Sequence, residues 1–346
     1  MRVIAVEEAY ATEAFLNGPG QQLLAQAEVA KEHPRVAEGI TALVDRLIDL
    51  GAGRLAEMDA AGVDVQVLSL TAPGIEQLDP TEAVPVARDA NDRVAEVLRT
   101  HGDRFAAFAA LPTSAPDQAA AELERVVTGY GFCGALINGH TQGRQLDDTF
   151  FWPILECAES LGVPVYLHPT APTPSMMATV YRGNYPDAVA GALATAAWGW
   201  HVDTGLHLLR LVASGALDRF PALQLVLGHL GEALPFMLPR LEQGLHPALT
   251  HLGRPFGAYL RENVHYTLSG FTTTAAFLNL LLEVGAERIL FAADHPYASM
   301  REARAFLDRL PVSPADRRRI ASGNAERLLR LPTSDGTIAG DVHSAA

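Results

Sequence analysis

Four side chains suited to metal or acid–base chemistry stand just beyond short apolar runs. Asp294 closes residues 289–293 in Ile289-Leu290-Phe291-Ala292-Ala293-Asp294-His295-Pro296-Tyr297. Glu7 follows residues 3–6, His168 follows 163–167, and His229 follows 223–227 after one glycine. An aspartate at the tip of a buried strand is costly unless a cation or hydrogen bonds compensate it. Two carboxylates and two imidazoles converging on one point form the inventory of a divalent-metal site. Glu232, three residues past His229, is placed to fix that imidazole through its second nitrogen. Each residue also has a plainer role. An acid after a strand can cap the next helix, and Glu232 suits a helix first turn. His168 before Pro169 can simply bond a loop, and Glu8 offers a second, exposed carboxylate beside Glu7. Convergence would decide between the two readings, so the elements that carry these residues matter most.

Eight apolar runs recur along the chain: 3–6, 63–70, 105–111, 133–137, 163–167, 223–227, 264–268 and 289–293. Most are apolar on both faces, as buried parallel strands are. The second is mixed, with Asp64 and Gln66, and so is the seventh, with His265. Helical patterns lie between them at 86–98, 117–127, 150–161, 206–212, 237–245 and 275–284, with Gly62, Gly162 and Gly285 at helix ends. Strands alternating with helices predict an α/β fold, a (β/α)8 TIM-like barrel. It would be a single catalytic domain over residues 1–331, with a frayed tail at 332–346. Chemistry in such a barrel sits at the carboxyl ends of the strands, where Glu7, His168, His229 and Asp294 fall. Two long connections, at about 11–52 and 170–216, are expected to cover that mouth or to form subunit contacts. Tyr10, Phe291 and Trp200 are placed to sandwich an aromatic ring, or else to pack in the core or a lid.

Composition narrows the function classes. With 49% hydrophobic and 19% charged residues the chain is globular. A net charge of −14 opposes nucleic-acid binding and leaves any anionic substrate in need of a local cation. Lys31 is the sole lysine and lies in a charged, loop-like stretch, which argues against Schiff-base chemistry. No apolar stretch reaches the length of a membrane span. Cys133 and Cys157 read as buried thiols, and the first residues lack the apolar length of a signal peptide, so a cytoplasmic location is expected. His33, His101, His246, His251 and His343 read as surface residues.

Several blocks carry a family resemblance. They are Glu7-Glu8 after the first strand, Gly134-Ala135-Leu136-Ile137-Asn138-Gly139, Leu146-Asp147-Asp148 and Tyr166-Leu167-His168-Pro169. Two more are Gly228-His229-Leu230-Gly231-Glu232-Ala233-Leu234-Pro235-Phe236 and Phe291-Ala292-Ala293-Asp294-His295-Pro296. In this order, from Met1 to about Leu331, the chain resembles the amidohydrolase-related, metal-dependent decarboxylases. The branch it resembles removes carbon dioxide from hydroxybenzoates, as dihydroxybenzoate and gamma-resorcylate decarboxylases do. The resemblance implies metal ligation by Glu7, His168 and Asp294. It implies a catalytic His229 supported by Glu232, an active-site Arg240, and one divalent ion. The proton donor would be Asp294 or the His229–Glu232 pair. A small aromatic acid would be the substrate, and the assembly a homodimer or homotetramer.

Two departures qualify this. Many relatives carry Glu-x-His after the first strand, whereas this chain has Glu7-Glu8-Ala9. The shell is then richer in oxygen, which strengthens magnesium and manganese against the zinc that the resemblance favours. Thr170 follows His168-Pro169 where relatives often carry arginine, which leaves the ring substituents open. The expected reaction is nonoxidative decarboxylation of a hydroxylated benzoate. The alternative is hydrolysis or hydration of a lactone, amide or related small acid by a metal-activated water. A third reading, motivated by Ala9, is a degenerate relative without metal.

Overall fold

The computed structural model describes residues 1–21 and 34–333. Lys31, His33, His343 and nearly all of the tail expected to fray lie outside them. The apolar runs form nine parallel ladder segments: β1 (Ile4–Tyr10), β2 (Val65–Leu70), β3 (Phe105–Ala107), β4 (Ala109–Ala110), β5 (Ala135–Asn138), β6 (Val165–His168), β7 (Leu225–Leu227), β8 (Val264–Thr267) and β9 (Ile289–Leu290). They pair in chain order, β1 to β3 and β4 to β9. Segments β3 and β4 are halves of one stave. Phe108 between them donates its N–H to Leu68 O at 2.9 Å, and Ala109 donates to Gly134 O at 2.8 Å. The last stave returns to the first, because Val6 N bonds Phe291 O at 3.1 Å and Ala9 N bonds His295 O at 2.7 Å. The result is a closed eight-stave barrel, as the alternating pattern predicts.

Side-chain alternation splits the apolar residues into two layers. Ile4, Val6, Val67, Phe108, Tyr166, Val226, Leu290 and Ala292 fill the barrel. Ala5, Tyr10, Leu68 and Phe291 belong to the second layer, shared with helices such as Pro80–His101 and Pro116–Tyr130. Each fully buried large apolar side chain contributes about 1.5–3 kcal/mol. Helix ends set where staves begin. Gly162, at φ 64°, caps Trp152–Leu161 by donating to Ala158 O and Glu159 O, and the chain then runs into β6 and His168.

One irregularity matters for chemistry. In β1, Ala5 pairs with Gln66, but Glu8 pairs with Leu68. Val6 and Glu7 together therefore oppose Val67 alone, which is a β-bulge. The bulge turns both Val6 and Glu7 toward the barrel axis and sends Glu8 to the outer side. Among the described residues, no helix is long and apolar enough to cross a membrane.

Candidate active site

Glu7 stands at the barrel mouth, 3% exposed. Its Oε2 accepts hydrogen bonds from the Tyr166 hydroxyl and from Thr267 Oγ1, the latter at 3.1 Å. Burial, then the Glu7 charge, push the Tyr166 phenol well above its ordinary range, so it stays a donor. Glu7 Oε1 is buried with no hydrogen-bond partner. It lies 3.5 Å from His168 Nε2 and 3.7 Å from His229 Nε2. His229 Nε2 is in turn 4.0 Å from Asp294 Oδ2.

His168 ends β6. Its Nδ1 sits 2.9 Å from both Asn138 Oδ1 and the Pro169 carbonyl. The carbonyl can only accept, so Nδ1 carries the hydrogen and Nε2 presents a lone pair toward Glu7. Burial, against the pull of Glu7, holds this imidazole below its usual pKa, which favours the neutral ring. Asn138 is fixed by Glu76, whose Oε1 accepts the Asn138 backbone N–H at 2.7 Å and is 3.4 Å from its Nδ2. Two lone pairs, Glu7 Oε1 and His168 Nε2, thus face each other in a buried place. A cation between them would satisfy both, at bonds of about 2.0–2.2 Å.

His229 lies in an unusual turn. His229, Leu230, Glu232 and Ala233 all have positive φ, between 50° and 65°. Each costs roughly 1–2 kcal/mol for a residue with a Cβ, and such strain concentrates at functional sites. Ser269 Oγ accepts the His229 N–H at 3.0 Å, and Glu232 Oε1 holds its Nδ1 at 2.7 Å. Burial lowers the His229 pKa, but Glu232, Glu7 and Asp294 outweigh it and push it up to about 10. Burial raises Glu232, but His229 and His201 outweigh it and hold the carboxyl below its usual value. The other Glu232 oxygen, Oε2, is 2.5 Å from His201 Nδ1. Sequence reasoning missed His201, Asn138 and Glu76. None ends an apolar run in the way the chosen residues do, except Asn138, which follows 133–137 in the sequence and could have been added on that ground.

Asp294, at φ 65°, is flanked by two N–H groups that point to one acceptor. Ala293 N donates to Glu8 Oε1 at 2.8 Å and His295 N to Glu8 Oε2 at 3.3 Å. Glu8 is therefore no exposed alternative to Glu7. It is 0% exposed, and burial pushes its carboxyl up to about 8. Burial and the Glu7 charge, opposed by His229, push Asp294 up to about 7. Gly270, at φ 66°, is needed beside it, since a Cβ there would lie 3.1 Å from Asp294 Oδ2.

These groups open onto a cavity of about 680 Å³. His168, His229 and Asp294 line it, with Leu43, Pro73, Trp200, His201, Phe271 and Tyr297 as walls. Both long connections contribute to it, through Leu43 and through Ala171, Thr195 and Ala196. Trp200 lines the cavity, one of the two places the sequence leaves open to it. Two other ring contacts expected from the sequence are overturned. Tyr10 and Phe291 are both 0% exposed and pack in the layer between staves and helices. The Tyr10 hydroxyl bonds Ala90 O at 3.3 Å, away from the mouth. Alternation decides this, since Leu290 and Ala292 take the inward positions around Phe291. Arg240 is exposed on the helix Leu234–Gly244 and does not line the cavity. Among the described residues no arginine lines the cavity, so an anionic substrate would meet Asp294 with Glu7 close behind it unless a cation lies between.

The family model described as Amidohydrolase matches residues 20–331. The chain is 38% identical over 304 residues to a gamma-resorcylate decarboxylase of Polaromonas sp. (strain JS666 / ATCC BAA-500), covering 84% of this chain and 90% of that protein. It is 35% identical over 342 residues to the decarboxylase orsB of Emericella nidulans, covering 95% and 97%. A crystal structure of a dihydroxybenzoic acid decarboxylase from Polaromonas sp. JS666, with bound manganese and the inhibitor 2-nitroresorcinol, superposes with a TM-score of 0.85 at 36% identity, covering 97% of this chain and 98% of that one. The chain belongs to the amidohydrolase family, in its branch of metal-dependent decarboxylases.

Proposed function

We propose that this mouth removes the carboxylate of a 2,6-dihydroxybenzoate-like acid without an oxidant, as a carboxy-lyase. The observation that carries the reading is the buried confrontation of Glu7 Oε1 with the lone pair of His168 Nε2. It stands on the floor of a cavity that can hold one aromatic acid and that, among the described residues, has no arginine in its walls. By the resemblance Glu7, His168 and Asp294 would hold one divalent ion, and Glu7, His229 and Asp294 each bring a ligand atom within 4.8 Å of one another at the same place. When bound, that ion supplies Lewis-acid attraction for the substrate carboxylate and the neighbouring phenolic oxygen. Two carboxylates and one imidazole form a hard donor set, which with the manganese of the Polaromonas structure favours manganese over the zinc expected from the sequence.

The chain's own groups do the rest. Tyr166 and Thr267 hold one oxygen of Glu7 so that the other faces the mouth. Glu232 fixes His229 with Nε2 toward the cavity, where it hydrogen-bonds a substrate oxygen and aligns the ring. Asp294, with a side chain 20% exposed, is more open to the cavity than His229 at 9% or Glu232 at 0%. It gives its proton to the ring carbon that bears the carboxylate. The bond from that carbon to the carboxyl then breaks, its electron pair returns to the ring, and carbon dioxide leaves. A proton from solvent then returns to Asp294, so that overall the substrate carboxylate and one proton give the phenol and carbon dioxide. Trp200 and Phe271 wall the ring and limit water around the reacting carbon.

Two further readings go with this. The large apolar side chains Phe236, Met237, Leu278 and Leu282 stand exposed on the neighbouring helices Leu234–Gly244 and Thr274–Val284, which supports a homodimer or homotetramer. Cys133 and Cys157 are free thiols, which supports a reducing, cytoplasmic location. The test strips the protein with a chelator and supplies 2,6-dihydroxybenzoate with manganese, zinc or magnesium. Carbon dioxide release that vanishes on stripping and returns with manganese supports the reading. Lactone or amide hydrolysis with no carbon dioxide from any hydroxybenzoate overturns it.

A further inference from the structure

We infer that His201 is a positioning residue for this reaction: with His229 it clamps the Glu232 carboxylate between two imidazoles, and so ties the wall of the mouth to the catalytic ring. The inference rests on the decarboxylase reading for its kinetic consequence and on geometry for the clamp.

Glu232 is the pivot. Its side chain is 0% exposed, and each oxygen meets one imidazole nitrogen. Oε1 lies 2.7 Å from His229 Nδ1, and Oε2 lies 2.5 Å from His201 Nδ1. A carboxylate held at one oxygen can still turn about its last bond, and a second tie at the other oxygen fixes its plane. Regular backbone cannot do this here, because Glu232 and its neighbours sit in the left-handed turn rather than in a helix. Loss of His201 would leave Oε2 a buried carboxylate oxygen without a partner, so the group would turn and His229 with it.

His201 is itself fixed from the lid side. Its Nε2 is 3.1 Å from the carbonyl of Ala196, and its ring packs edge-on against Phe271 at 5.4 Å and 82°. It also meets the His229 ring edge-on at 5.1 Å. Ala196 and Trp200 belong to the same wall of the cavity. The segment covering the substrate is thereby joined through one carboxylate to the imidazole that aligns it. His201, His229 and Glu232 also have the composition of a metal cluster. Their contacts of 2.5–2.7 Å are direct hydrogen bonds. Two ligands of one ion at right angles, with bonds of about 2.1 Å, stand roughly 3 Å apart.

The test compares His201→Phe and His201→Asn in the manganese-loaded protein. Phenylalanine keeps the ring in the wall and removes both nitrogens. Asparagine restores a donor near Nδ1. The Phe variant is expected to lose kcat by about 10–100-fold, the usual cost of removing such a support, with KM changed by less than about threefold. Manganese content should not change, and the Asn variant should recover most of the rate. Unchanged kcat in the Phe variant, a loss confined to KM, or no recovery with Asn overturns the proposal. Proton NMR of histidine-labelled protein reads the clamp without turnover. Loaded with diamagnetic magnesium, wild type should show a slowly exchanging, downfield imidazole N–H signal from His229 and a second from His201, beside that of His168, and His201→Phe should remove the second and shift the first. If wild type shows both signals yet releases no carbon dioxide, the decarboxylase reading fails and the clamp stands. If the second signal is missing from wild type, or persists in His201→Phe, the clamp itself fails.

Discussion

Glu8→Ala should damage the site from outside it. Glu8 does not face the mouth, yet its two oxygens accept the N–H groups on either side of Asp294, at 2.8 Å from Ala293 N and 3.3 Å from His295 N. Both donors are buried with the strand end, and a buried N–H left without an acceptor costs roughly 1–3 kcal/mol. Two such losses predict a destabilisation of about 2–6 kcal/mol, toward the lower end where water enters the gap. Asp294 at φ 65° is also released from its restraint. A non-glycine residue gains roughly 1–2 kcal/mol by leaving the left-handed region, so the carboxylate should move away from Glu7. Metal affinity should then fall about 10–100-fold, as it does when supporting groups are lost. Glu8→Gln keeps an acceptor for Ala293 N but sets an amide nitrogen against His295 N and Gln66 Nε2, so about half the loss is expected. Urea midpoints, manganese retained after desalting, and kcat measure the three effects. A Glu8→Ala protein with wild-type stability and full manganese content would refute the reasoning, because Asp294 would then hold its place unaided.

Other perturbations follow from the same contacts. Tyr166→Phe removes one of two donors from Glu7 Oε2, so manganese Kd should rise about tenfold or more while Thr267 keeps the carboxylate in place, as titration calorimetry would read. Asn138→Ala leaves His168 oriented by the Pro169 carbonyl alone, and a similar weakening of metal binding is expected. His207 gives a pH dependence away from the mouth. Burial, against Asp147, holds its imidazole at about 4, and its Nε2 accepts the Leu146 N–H at 3.0 Å. The unfolded chain binds that proton near 6.5, so between 6.5 and about 4 it holds more protons than the folded one, and stability falls as pH falls. The contribution is complete above 6.5 and is reduced by on the order of 2 kcal/mol at pH 5. His207→Gln should lose less stability than wild type between pH 7 and pH 5, by urea titration; an equal loss would contradict the assignment.

The barrel was legible because a buried stave is a one-dimensional pattern. All eight apolar runs became staves, and their polar ends became the mouth, so Glu7, His168, His229 and Asp294 could be chosen without coordinates. Direction around the chain axis was less legible. The bulge at Val6 and Glu7 has no signature in Val3-Ile4-Ala5-Val6-Glu7-Glu8, yet it decides which glutamate faces inward and turns Glu8 into the support of Asp294. Tyr10 and Phe291 lie close to the mouth in sequence, but alternation sends both outward to the helices. His201 was invisible for a different reason. Its partner Glu232 is 31 residues away, and the left-handed turn that brings them together is set by tertiary contacts rather than by local propensity. Arg240 rests on resemblance alone, and within this chain it stands exposed on its helix.

One divalent ion should sit between Glu7 Oε1, His168 Nε2 and Asp294. Anomalous diffraction from manganese-loaded crystals measures this directly. The account predicts a single peak at about 2.0–2.3 Å from those three ligands, absent in Glu7→Gln crystals. A peak among His201, His229 and Glu232, or none at the mouth of an enzyme that still releases carbon dioxide, would contradict it.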